Sequence, residues 1–350
     1  MVRRTRMKAA RLHAYGTALQ IDEIPTPTPG PGQVVVAIRG AGFCHSDIHV
    51  IDGEIPILPR MPLVLGHENA GVVASIGAGV RTVKAGDPVA IFGGWGCGQC
   101  SLCIMGHEQL CETPAWAGLS VHDGGYAEYL LVPAERYLVP LRSLNPSEAA
   151  PLTDAALTPY RAIKKALPFL EPDHYALVIG LGGLGQYGLK LLKLLSGCPL
   201  IVVDVSDRKL DLARQMGAEH TFNGRDLDVI ERIREVTRGH GVSAAFDFVG
   251  TDATLDLAVR STRSLGKVSH VGLAGGTAKL KPLDNSRFEV LYEATLWGSI
   301  KELREVIALA ESGRLVTIPI EIARLEDIND VYRRLKMGEI AGRAVIVPAA

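Results

Sequence analysis

The stretch Ala176-Leu-Val-Ile-Gly180-Leu-Gly182-Gly183-Leu184-Gly185, followed by QYGLKLLKLL and then by LIVVD ending at Asp204, decides the fold. A short β-branched run enters a glycine-rich turn, a helical run leaves it, and a second apolar run ends in an acid. This is the order a dinucleotide-binding βαβ unit requires. Gly180 permits the tight turn, Gly182 lets backbone approach a pyrophosphate, and Gly185 lets the helix pack closely on the strand. With Gly183 and Leu184 they form a phosphate cradle at a helix N-terminus, whose unpaired N–H groups and partial positive charge favour anions. Asp204 lies where a carboxylate accepts the ribose hydroxyls and repels a 2′-phosphate, so the expected cofactor is NAD. Arg208 and Lys209 are the cations that leave some use of NADP open, and Lys209 joins the expected cofactor contacts.

From about residue 156 onward, β-branched runs alternate with helical ones. Strands are expected at 176–180, 200–205, 244–249 and 267–272, and helices at 185–195, 208–216, 226–237 and 253–264, a parallel-sheet pattern. Before about residue 155 the texture differs. PTPTPGPG at 25–32 is a turn-rich connector, and short strands are expected at 7–14, 34–38, 70–76, 88–92 and 126–132. The tail carries helical patterns at 302–311 and 328–336 and a strand at 343–347. With 350 residues, 47% of them hydrophobic, two domains are expected. The fold class is α/β, a β-rich domain beside a doubly wound parallel sheet.

Cys97, Cys100, Cys103 and Cys111 fall within fifteen residues, in and after the loop GGWGCGQC. Four soft ligands so close suit a tetrahedral zinc with no open position, a structural site. An iron–sulfur run has a shorter last gap followed by Pro, whereas here the gap is seven and Glu112 follows. A zinc ribbon on nucleic acid would be flanked by cations; this loop has Glu108 and Glu112. Free thiols or disulfides are the bland alternative, and Cys198 reads as a plain thiol.

Three further segments carry possible ligands: Gly42-Phe-Cys44-His45-Ser46-Asp47-Ile-His49, Gly66-His67-Glu68 and Pro151-Leu-Thr153-Asp154. A catalytic zinc takes three protein ligands and keeps one open position. Cys44, His67 and Asp154 offer a thiolate, an imidazole and a carboxylate. From the residues alone they fit equally a buried thiol, a satisfied histidine and a helix-capping acid, because spacing does not unite them.

Taken together, GFCHSD, GHENAG, the four-cysteine loop, LTDAALTPY, VIGLGGLG and the closing GRAVIVP resemble the zinc-containing alcohol dehydrogenases of the medium-chain dehydrogenase/reductase superfamily. The likeness runs through the chain from Met7, closest to bacterial secondary-alcohol enzymes with Asp as third ligand. It implies a GroES-like catalytic domain at 1–155 and 294–350 and a Rossmann NAD-binding domain at 156–293. It implies two zinc ions per chain: a catalytic one on Cys44, His67 and Asp154, and a structural one on the four cysteines. Glu68 would stand beside the metal and Asp47 would orient His67, while Ser46 and His49 would be the ends of a proton relay. His45, Thr158, Val249, Val271, Leu273 and Arg343 would meet the cofactor; Trp95, Leu119 and Trp297 would line the substrate pocket. The implied reaction is hydride transfer between a primary or secondary alcohol and NAD, reversed for aldehydes and ketones.

A formal net charge of −1 argues against nucleic acid as the main partner. No apolar run reaches about 18 residues, so no membrane span is expected. The basic start MVRRTRM lacks the apolar stretch of a secretory leader, which points to the cytoplasm. Relatives form dimers or tetramers, and a tetramer is the expected assembly. The competing readings are a polyol or sugar dehydrogenase of the same superfamily, a zinc-free quinone reductase, and a nucleotide-sensing or zinc-storing protein without chemistry. The quinone reductases lack the ligands quoted above; retention of Ser46 and His49 speaks against the last.

Overall fold

A computed structural model describes residues 5–348; the first four residues of the basic start lie outside the described residues. The chain divides into two compact units, one running to Leu157 and resuming at Trp297, the other spanning Thr158–Leu296.

The second unit is built on a six-stranded parallel sheet in the order His220–Asn223, Leu200–Asp204, Ala176–Ile179, Val242–Asp247, Thr262–His270, Leu291–Ala294. The helices Gly183–Leu195, Asp207–Gln215, Val229–Val236 and Asp252–Ser261 alternate with the strands. Leu177, Ile179, Ile201, Val203, Phe222, Ile233 and Val268 form its buried core. Strand order reverses beside Ala176–Ile179, and the carboxyl ends of strands at such a switch point are where doubly wound sheets bind ligands. The helix expected to reach residue 264 ends at Ser261, and the next strand begins at Thr262, five residues before the sequence pattern places it. The Thr262 hydroxyl donates to the Ala258 carbonyl, and Thr262 pairs with Val242 across a bulge; tertiary pairing overrides the apolar pattern. Strand His220–Asn223, short and with Phe222 as its one apolar residue, has no pattern to announce it.

The first unit holds a seven-stranded sheet and a three-stranded one. Strand Val34–Gly42 pairs antiparallel with Glu68–Ile76, setting Gly42 opposite Glu68, and Val345 of Arg343–Val347 pairs with Gly42 on its other side. This register brings three chain regions to one point, two of them close in sequence and the third about 300 residues further on. Arg343–Val347 also runs parallel to Ile320–Arg324, so the tail is woven into the same sheet as the N-terminal strands. No helix among the described residues is long and apolar enough to cross a membrane.

Candidate active site

Cys44 is the N-cap of helix His45–Ile51, which starts three residues after strand Val34–Gly42 ends. His67 directly precedes strand Glu68–Ile76, and Asp154 follows the short 3₁₀ turn Ala150–Thr153. Ligand atoms of Cys44, His67, Glu68 and Asp154 all lie within 4.8 Å of one another, and all four residues are buried. Cys44 Sγ is 3.8 Å and His67 Nε2 3.5 Å from Asp154 Oδ2. A tetrahedral zinc with bonds of 2.0–2.3 Å sets such ligand atoms about 3.3–3.5 Å apart. The donor set therefore fits zinc with adjustments of a few tenths of an ångström.

Asp47, fully buried, ties this arrangement together. Its Oδ2 accepts the Cys44 N–H at 3.0 Å and the Tyr126 hydroxyl at 2.7 Å. Its Oδ1 lies 3.4 Å from His67 Nδ1, within ion-pair range but off the line of a hydrogen bond, so both atoms remain orphaned in the interior. A carboxylate facing the far nitrogen of a ligating imidazole is the usual device for orienting it. Burial alone would lower the His67 pKa, but Asp47 and Asp154 outweigh it and hold the imidazole well above its ordinary value. Such an excess of buried negative charge is what a bound cation neutralises.

Glu68 is fully buried and gripped by both arms of the Arg343 guanidinium, with Nε to Oε2 at 2.9 Å. Burial pushes its carboxyl up to about 7 while Arg343 pulls the other way. A side chain on Gly42 would sit 1.9 Å from Glu68 Oε2, so this approach demands glycine there. Arg343, which the family resemblance assigns to the cofactor, is 2% exposed and stands 4.0 Å from Asp154 Oδ2. Within its own unit it serves as counter-ion to the acids around the ligand cluster.

Ser46 Oγ is 3.6 Å from Cys44 Sγ. His49, in the last turn of the same helix, is partly exposed and His45 is exposed. Trp297 adopts a left-handed backbone (φ 49°), donates its indole N–H to Thr153 O at 2.9 Å and sets its ring edge against His67, centroids 5.5 Å apart. Gly93 is required beneath it, since a Cβ there would meet the indole at 2.9 Å. Leu119 is 9% exposed. Trp95 has no exposed surface, its N–H is satisfied by Phe92 O and its ring packs on Tyr137 and His122. The Trp116 ring packs against that of Trp297, centroids 6.4 Å apart, a contact that no sequence motif marks.

The four cysteines of the loop also converge within 4.8 Å, with Cys100 and Cys111 sulfurs 3.8 Å apart. A disulfide needs about 2.05 Å, and sulfurs around one zinc stand about 3.8 Å apart. Backbone N–H groups of Cys97, Cys100 and Thr113 point at the sulfurs. Backbone donors hold the Cys97 thiol down to about 6, whereas burial pushes Cys103 up to about 12. Gly96 is forced by packing, for its Cβ would lie 2.6 Å from Cys103 Sγ.

In the other unit, Gly180 has φ +84°, and a Cβ on Gly185 would strike Gly180 O at 1.9 Å. Gly182, the N-cap of helix Gly183–Leu195, meets nothing within 4 Å of where a Cβ would stand. The first helical bond is Gln186 N to Gly182 O, so the N–H groups of Gly183, Leu184 and Gly185 precede the ladder. Asp204 ends its strand; Oδ2 accepts Leu181 N–H at 2.7 Å, Oδ1 accepts Ser206 N–H at 2.9 Å, and Lys209 Nζ is 3.8 Å away. This open cradle and acid fit a dinucleotide. Val249 and Val271 follow strands Val242–Asp247 and Thr262–His270, Val271 buried and Val249 partly so, while Leu273 is exposed and Thr158 buried.

Residues 30–143 match the alcohol dehydrogenase GroES-like domain, and residues 183–312 match the zinc-binding dehydrogenase domain. An NAD-dependent alcohol dehydrogenase of Sulfurisphaera tokodaii is 36% identical, covering 98% of this chain and all of that one. The crystal structure of the alcohol dehydrogenase of Aeropyrum pernix superposes with a TM-score of 0.89 at 38% identity, over 97% of this chain and all of that one. A D-arabinose 1-dehydrogenase (NADP(+)) of Saccharolobus solfataricus is 34% identical over 99% of both. The chain belongs to the zinc-containing alcohol dehydrogenases of the medium-chain superfamily.

Proposed function

We propose that this protein is an NAD-dependent alcohol dehydrogenase whose unit formed by the chain ends carries both metals and whose central unit carries the cofactor. One observation supports it most: donors from three distant segments, Cys44, His67 and Asp154, converge on one buried point. These three would hold the catalytic zinc, and Cys97, Cys100, Cys103 and Cys111 a second, structural zinc. When bound, zinc would supply Lewis acidity that lowers the pKa of a bound hydroxyl toward neutrality, and NAD would supply the hydride acceptor. Asp47 holds His67 in the ligating orientation, and Arg343 with Glu68 adjusts the charge around the ligands. Trp297, anchored to the carbonyl before Asp154, excludes water from the His67 face. Ser46 and His49 are the inner and outer ends of the path by which the alcohol's proton leaves. Gly180–Gly185 and Asp204 bind the dinucleotide. The substrates are small alcohols and the corresponding aldehydes or ketones.

The test is metal analysis joined to turnover. Two zinc ions per chain and NADH formation from 2-propanol or 1-phenylethanol are expected; Cys100→Ser should leave one zinc and a lowered Tm. One zinc in a fully active wild-type protein would refute the reading. A sugar or polyol dehydrogenase is the second reading, favoured by the D-arabinose relative. An NAD-linked screen over secondary alcohols, polyols and aldoses separates the two.

The glycine cradle makes its own prediction. Because Gly182 faces open space, Gly182→Ala should keep Tm and circular dichroism unchanged yet weaken NADH binding by about tenfold or more, at 1.4 kcal/mol per decade. An unchanged Kd by fluorescence titration would remove Gly182 from the phosphate contact.

We place the enzyme in the cytoplasm as a homo-oligomer, a tetramer rather than a dimer. Edge strand Leu291–Ala294, with Phe288 and Leu291 exposed beside it, supports self-association; light scattering reads the assembly.

A further inference from the structure

His49 is not alone at the outer end of the helix that starts from Cys44. Its Nδ1 lies 2.5 Å from Oε2 of Glu54, a carboxylate no motif singled out. Local structure explains the pairing. Helix His45–Ile51 ends with Asp52 as C-cap, and Gly53 at φ +78° turns the chain back, as a left-handed residue after a helix does. The Ile55 N–H then donates to the His49 carbonyl at 3.1 Å, which sets Glu54 over the imidazole. The turn is pinned from outside: Asp52 accepts from the Tyr332 hydroxyl and, at 2.6 Å, from Lys336 Nζ, both on helix Ile328–Lys336. The charged groups around His49 are therefore Glu54 and Asp52 on its own segment and Lys336 on the facing helix. The His49 side chain is 17% exposed and that of Glu54 is 60%, so the pair runs from a sheltered ring to open water.

We infer that Glu54 is a positioning residue of the proton path, fixing His49 in the tautomer that takes up a proton at Nε2. The inference rests on the reading of Ser46 and His49 as that path. With Nδ1–H donated to the carboxylate, Nε2 carries the lone pair and accepts the proton that leaves the alcohol. The resulting imidazolium stays paired with the Glu54 carboxylate until the ring gives one proton to water. The division of labour is that of the acid behind the histidine in a hydrolase triad.

The experiment uses the full-length zinc-loaded enzyme with NAD and 2-propanol. Glu54→Gln should lower kcat by about tenfold, the low end of what removing a carboxylate partner costs a metal-ligating histidine. Glu54→Asp should recover part of the loss. N-ethylmorpholine, a base too hindered to compete for a metal, should restore the rate of Glu54→Gln as its concentration rises, with NADH affinity unchanged. In a His49→Gln background, Glu54→Gln should add nothing. Wild-type kcat in Glu54→Gln beside a slow, base-rescued His49→Gln overturns the role of Glu54 alone. A Glu54→Gln loss that neither Asp nor added base relieves overturns it as well. If His49→Gln itself turns over normally, the proton path falls, and this inference with it.

Discussion

Replacing His67 by alanine is expected to lower kcat/KM by about a thousandfold or more, because the Lewis-acid contribution of several kcal/mol converts at one decade per 1.36 kcal/mol. His67 is 2% exposed and lies among Cys44, Asp47 and Asp154. Without the imidazole, the remaining thiol and acid cannot hold a tetrahedral ion with one open position, and the zinc count should fall from two to one. The four-cysteine loop is built from a separate segment and should keep its metal. NADH binding should persist, since the glycine cradle belongs to the other unit. The ring also supports the Trp297 edge, so Tm must be read alongside. Cys44→Ala, which removes a ligand without touching Trp297, should give the same zinc loss. A His67→Ala protein that keeps two zincs and normal turnover would end the assignment.

Substituting Asp204 should move cofactor preference by about a hundredfold or more toward NADP. Each Asp204 oxygen already accepts one backbone N–H, from Leu181 and Ser206, and each has a lone pair left for a ribose hydroxyl. Losing a charge-assisted bond costs about 1.5–3 kcal/mol, which weakens NAD by roughly 10–100-fold. Removing the carboxylate also ends its repulsion of a 2′-phosphate and frees Lys209, now 3.8 Å from it. Asp204→Ser should show both effects, with about 1–3 kcal/mol of stability lost where Leu181 N–H is left without its acceptor. Asp204→Asn keeps an acceptor and removes the charge. If charge is the discriminator, Asn alone shifts the kcat/KM ratio; an unmoved ratio in both variants would take Asp204 out of cofactor choice.

These residues differ in how far the sequence reveals them. The glycine turn, its helix and Asp204 lie within one βαβ unit, and the four cysteines within fifteen residues. Local spacing carries both, because turn geometry and metal ligation there need only neighbouring chain. Alternating β and α runs carried the parallel sheet in the same way. Where pairing across the sheet set a boundary, as at Thr262, the pattern failed.

The sequence by itself determined the dinucleotide unit, the thiolate loop and the α/β class, since each depends on side chains and turns close along the chain. Only the tertiary structure joined Cys44 to Asp154 and Glu68 to Arg343, separations of 110 and 275 residues. It also sent Trp95 into the core, brought Trp116 to Trp297, and turned Glu54 back over His49. The physical reason is register: Gly42 sits opposite Glu68 and beside Val345 because buried apolar faces lock those strands together, and no spacing along the chain encodes that alignment.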